Sequence, residues 1–109
     1  MEFKDYQKKS RKTAIYPNKG NDLTYPGLGL VNEAGEVAGK IKKVIRDQEG
    51  VLNDENKKEI GKELGDVLWY IAQLATELDL DMNEIAEGNI NKLYGRLDRG
   101  KIQGSGDNR

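Results

Sequence analysis

At 109 residues the chain is long enough for one hydrophobic core and too short for two; its side chains are 34 % charged, yet the formal net charge is only −1. That balance removes any global electrostatic argument for nucleic acid or an anionic membrane. The absence of cysteine and histidine excludes disulfides, thiolate chemistry and imidazole catalysis. A reaction must then be run by carboxylates, Lys, Arg, Tyr, Ser, Thr and Asn, and a catalytic metal held by oxygens, which points to Mg²⁺ or Mn²⁺.

In chain order, the opening MEFKDYQKK lacks the apolar core of a signal peptide, and no apolar run approaches the roughly 20 residues of a membrane span, so a cytoplasmic protein is expected. Strand signal is sparse. A first helix is predicted over about 3–14, followed by a loop, YPNKGNDLTYPG, that holds both prolines, Pro17 and Pro26. The second helix is predicted from about Leu28 to Arg46. The third starts near Asn53 or Asp54, whose side chains suit an N-cap, and runs to about Leu78. A fourth covers about Met82 to Arg96. The glycine-rich polar tail, about 98–109, reads as a disordered end of a single domain spanning 1–109.

Leu30, Ala34, Val37, Ile41 and Val44 recur at alternating spacings of four and three, as do Ile60, Leu64, Val67, Ile71, Leu74 and Leu78. Two long helices with such stripes and a short connector predict an antiparallel helix hairpin. The fold class expected is all-α, a four-helix-bundle-like unit built on that hairpin and oligomerising.

Acidic pairs at i, i+3 are common in this chain, but two stand out through an internal match. EAGEV at 33–37 and ELGDV at 63–67 share Glu, a small or apolar residue, Gly, an acid and Val. At about 100° per residue, Glu33 sits about 40° and Glu36 about 100° to the same side of Val37; Glu63 and Asp66 stand alike toward Val67. Facing the stripes brings all four carboxylates to one side of the hairpin. Like charges so close disfavour ionisation unless a divalent cation compensates them. The bland alternative is that they flank the stripe and pair with lysines such as Lys40 or Lys62. On the fourth helix Asn89, Lys92 and Arg96 share a face of donors and positive charge, suited to a polyphosphate. Gly35, Gly39 and Gly65 each cost roughly 1 kcal/mol in a helix interior, and their side of the helix suggests close approach of another helix in this chain or a partner.

At these residues the chain resembles the MazG-like nucleoside triphosphate pyrophosphohydrolases of the all-α pyrophosphatase superfamily. The likeness runs from YPGLGLVNEAGEVAGKIKK through KELGDVLWYIAQLA to NINKLYGRLDRGKIQGSGDNR. It implies Mg²⁺-dependent hydrolysis of (d)NTPs at the α-phosphorus to the monophosphate and pyrophosphate. It also implies Glu33, Glu36, Glu63 and Asp66 as metal ligands and catalytic groups, with Asn89, Lys92 and Arg96 on phosphate or sugar. Dimers or tetramers, with a site near or across a subunit interface, are usual in such proteins.

The chain departs from many members at Asn32, where they carry a further glutamate; an amide oxygen can ligate but cannot take a proton at neutral pH. Tyr16, Tyr25, Trp69, Tyr70 and Tyr94 are the aromatic candidates for a base. Core packing is the expectation for Trp69, substrate contact for Tyr70 on the carboxylate flank, and reach from the connector for the loop tyrosines. The ending GSGDNR offers backbone amides that could close over phosphates. Nucleoside triphosphate is the expected partner, without stable nucleic-acid or membrane binding. The alternative to an enzyme is a non-catalytic helical module, sensing nucleotides or binding protein, with a vestigial metal site.

Overall fold

In the computed structural model, which describes residues 1–109, the chain forms four helices and no strand: α1 (Phe3–Arg11), α2 (Thr24–Asp47), α3 (Asp54–Glu77) and α4 (Met82–Asp98). No helix is long and apolar enough to cross a membrane. Local chemistry sets the starts. Asn53 and Asn56 cap α3 reciprocally, with Asn56 N donating to Asn53 Oδ1 at 2.8 Å and Asn53 N to Asn56 Oδ1 at 3.2 Å. Asp81 accepts from Asn83 N at 2.7 Å to cap α4.

Two boundaries differ from the sequence-based expectation. α2 begins at Thr24, not Leu28, because Pro26 falls in the first turn, where a missing N–H and a preset φ are no handicap. Asp22 stabilises that start, accepting from both the Thr24 N–H and its hydroxyl at 2.9 Å. α1 stops at Arg11, short of residue 14; the Thr13 hydroxyl donates to the Ser10 carbonyl at 2.6 Å, a side-chain bond that competes with helical continuation.

α2 and α3 form the antiparallel hairpin, with Gln48 bonded to Asn56 at 2.8 Å near the turn and Lys40 paired with Glu63 at 3.8 Å further along. Glu49 and Gly50, both at positive φ, reverse the chain between them. α1 lies against α3, and the small core of Ala72, Ala75 and Met82, backed by Tyr6, Leu68 and Ile71, sits where α1, α3 and the start of α4 meet.

A closed four-helix bundle does not form within one chain. α4 packs on α1, and its first residue, Met82, joins the core beside α3. The radius of gyration is 16.8 Å, against about 13 Å for a compact chain of this length. Much apolar surface stays open: Val31 is 72 % exposed, Leu28 67 %, Ile45 65 % and Tyr94 62 %. The three helix-interior glycines do not serve close approach inside this chain either, since a methyl group at Gly35, Gly39 or Gly65 would meet open space. The tail is not a featureless end: the Arg109 guanidinium donates to the carbonyls of Lys101, Ile102 and Gly106 at 2.9, 2.9 and 2.8 Å, curling it into a loop.

Candidate functional site

The hairpin register places Glu33 of α2 beside Glu63 and Asp66 of α3, with one carboxylate oxygen from each within 4.8 Å of the others. Glu36 is not in this group; it points to solvent one turn further along α2. It still acts on the site by charge. The Glu33 carboxyl is pushed above the ordinary carboxylate range by burial first, then by the negative charges of Asp66, Glu63 and Glu36. Lys40 reaches Glu63, the lysine pairing that the sequence left open, while Lys62 turns to Glu59 at 3.1 Å.

One wall of the site is aromatic. The Tyr70 ring lies directly over Gly29, one turn before Glu33, where a methyl group on the backbone would overlap it. Burial, then Tyr25 and Glu33 nearby, push the Tyr70 phenol upward. Trp69 is only half-buried and serves as a joint: it meets Tyr70 edge-on at 4.9 Å and Tyr16 at 6.4 Å, and its Nε1 donates to the Thr13 hydroxyl at 2.8 Å. Tyr16 in turn lies flat on Tyr25, with centroids 5.4 Å apart and planes at 4°. Two of the expected loop tyrosines therefore form a stack continuous with the wall. Tyr94 is exposed on α4.

The residues expected on phosphate stand elsewhere. Asn89 and Lys92 are exposed on α4, which packs mainly on α1 and meets α3 at its first residue, Met82. Arg96 does not line an open face; it is 5 % exposed and its Nη2 donates to the Asp107 carbonyl at 2.6 Å, so the tail occupies it. Asn32 is exposed beside Glu33.

Sequence reasoning missed a buried polar node on α3. Glu77 Oε2 accepts from the Tyr16 hydroxyl at 2.5 Å, Gly20 N at 2.9 Å and Arg11 Nη2 at 3.0 Å. These donors hold its carboxyl down at about 2, the Tyr16 hydrogen bond contributing most. Gln73, fully buried one turn earlier, donates to the Ser10 hydroxyl at 3.0 Å and accepts from Arg11 at 3.2 Å. The only hint in the sequence is that Trp69, Gln73 and Glu77 recur every four residues along one side of α3.

An oxygen-only cluster on two facing helices, walled by tyrosines, suits a hard divalent cation and an aromatic ligand. No solved structure matches the chain. Over 95 % of its length it is 51 % identical to the Gene 37 protein of Mycobacterium phage L5, of which it covers 96 %. Residues 26–100, which hold the whole hairpin site and α4, match the profile of the MazG nucleotide pyrophosphohydrolase domain, and the chain belongs to that family.

Proposed function

We propose that this protein is a Mg²⁺-dependent nucleoside triphosphate pyrophosphohydrolase. The observation that supports this reading best is the convergence of Glu33, Glu63 and Asp66 on one side of the hairpin, with Glu33 pushed toward its protonated form by burial and then by its acidic neighbours. Such a cluster is unfavourable alone and fits a hard cation through the chemistry of its donors. Glu33, Glu63 and Asp66 would hold Mg²⁺, with Mn²⁺ as a substitute, and Glu36 and the Asn32 amide stand at the edge. When bound, the cation neutralises phosphate charge and acidifies water.

The chain's own groups supply the rest. A water oxygen bonds to the α-phosphorus, the bond from that phosphorus to the bridging oxygen breaks, and pyrophosphate leaves with the electron pair. A carboxylate of the cluster takes the water's proton. Tyr70 borders the same space and contacts the nucleoside. Asn89 and Lys92 offer donors to the phosphates, and Arg96 joins them where the tail releases it. Because α4 packs mainly on α1, these donors reach the carboxylates of a second copy in a homodimer or homotetramer. Residues 1–109 act together as one catalytic domain in the cytoplasm, since α1 supports α3 from outside the matched segment.

The decisive experiment is a panel of standard and modified (d)NTPs with Mg²⁺, read by pyrophosphate release. Pyrophosphate plus monophosphate, abolished by Glu63→Gln and by EDTA, is the expected result. Orthophosphate alone, or no turnover with any nucleotide, would sink the reading and leave a non-catalytic module.

A further inference from the structure

Glu77 lies on α3 eleven residues beyond Asp66, about 16 Å along the helix axis, and is too distant to share a metal with the carboxylate cluster. Its side chain is nevertheless 1 % exposed, and buried carboxylates are rare unless something requires them. What Glu77 gathers is the connector between α1 and α2. One oxygen holds Arg11 at the end of α1, the Tyr16 hydroxyl in the middle of the connector, and the N–H of Gly20 at its far side. Arg11 reinforces the same point, donating to the Tyr16 hydroxyl at 2.6 Å with its guanidinium 5.7 Å from the centre of the ring. The second Glu77 oxygen is buried without a partner, so the carboxylate is oriented entirely toward these three donors.

The connector carries Tyr16, and Tyr16 lies flat on Tyr25, which is 44 % exposed. Tyr16 also meets Trp69, which meets Tyr70 edge-on, and Tyr70 lies over Gly29, one turn before Glu33. A continuous line of contacts thus runs from Glu77 through Tyr16, on which Tyr25 is stacked, and through Trp69 and Tyr70 to the edge of the carboxylate site. An open, rigidly backed phenol ring near a carboxylate cluster suited to a divalent cation is what a nucleobase stacks on, and such stacking is worth about 1–3 kcal/mol per base. Rigid backing matters because an unfixed ring must be ordered at the moment of binding.

We propose that Glu77 is a positioning residue for base recognition: by fixing Tyr16 it holds Tyr25 as the stacking platform for the aromatic base of the substrate, while the phosphates are bound independently of it. The inference rests on the nucleotide reading above. It separates the two ends of the substrate, and that separation can be measured.

The probe is a nucleoside triphosphate whose α,β-bridging oxygen is replaced by methylene, so that nothing turns over, compared with inorganic tripolyphosphate, which has no base. Binding of each to the full chain in Mg²⁺ is followed by emission of Trp69, the single tryptophan, which touches both Tyr16 and Tyr70. Glu77→Gln and Tyr16→Phe are expected to weaken the nucleotide analogue by about tenfold and to leave tripolyphosphate within about twofold. Tyr16→Phe keeps the ring and loses only the hydroxyl, so it decides the matter where Glu77→Gln fails to fold; Tyr25→Ala should reproduce the selective loss. Unchanged affinity for the analogue in folded variants overturns the proposal, and so does equal loss for both ligands. A wild type that does not bind the analogue overturns this proposal and the nucleotide reading together. A selective loss in a protein that releases no pyrophosphate from hydrolysable nucleotides supports the proposal and overturns the reaction alone.

Discussion

Gly29 and Gly35 lie six residues apart on α2 and meet opposite surroundings. A methyl group at Gly29 would overlap the Tyr70 ring, so Gly29→Ala should destabilise the fold by about 1–3 kcal/mol. At Gly35 the added methyl meets nothing, and Gly35→Ala should stabilise an isolated chain by up to about 1 kcal/mol. Chemical denaturation of the two variants checks both signs, and a loss at Gly35 would reveal a neighbouring copy packed there. The buried carboxyls also differ in sign. Glu77 falls from 4.5 to about 2 on folding, so its contribution is fully present above pH 4.5 and disappears as pH falls toward 2. Glu77→Gln should therefore flatten that acid limb of a stability profile measured by urea melts. Glu33 is raised, so the folded state loses stability as pH rises through its value. At neutral pH Glu33→Gln should melt higher than wild type in EDTA, whereas added Mn²⁺ should raise the wild-type melting temperature more than the variant's. Of these residues, Glu33, Glu63 and Asp66 were legible because EAGEV and ELGDV repeat at one place relative to two stripes. Glu77 was not, since an acid on a helix flank reads the same whether solvated or buried, and its partners Tyr16 and Gly20 come from a connector with no periodicity.

At the scale of elements, all four helices were readable because each keeps a 3.6-residue apolar period or a clear cap. The errors fall where local chemistry overrides pattern: Pro26 looks like a breaker but suits a first turn, and Thr13 ends α1 through its own hydroxyl. What periodicity could not give was the direction α4 takes after Asp79, whose φ of 58° lies in the left-handed region. The tail escaped the reading for another reason. Its order comes from arginines, Arg96 on the Asp107 carbonyl and Arg109 on its own loop, not from apolar residues. Removing residues 101–109 should therefore free the Arg96 guanidinium and loosen the last turns of α4, while leaving the hairpin unchanged. Hydrogen exchange resolved along the chain is the measurement, with faster exchange confined to about 93–100 as the expected result.

Across the whole molecule, the stripes on α2 and α3 demanded more cover than one chain provides. Part of that demand is met inside the hairpin and by α1; Ile41, Leu64 and Leu78 of the stripes stay exposed, as do Leu28, Val31 and Ile45 beside them. The sequence therefore announced an all-α protein, but which surface covers each stripe was beyond it, because an apolar stripe does not say which helix will cover it. The packing of α4 mainly on α1 has a consequence of a genetic kind. If Lys92 serves the carboxylates of another copy, the unit of function is a composite of two chains. A Lys92→Ala protein and a Glu63→Gln protein, each inactive alone, should regain activity when unfolded and refolded together, because mixed assemblies contain some sites with both halves intact. Lesions in the two regions would then complement each other as though they lay in different genes.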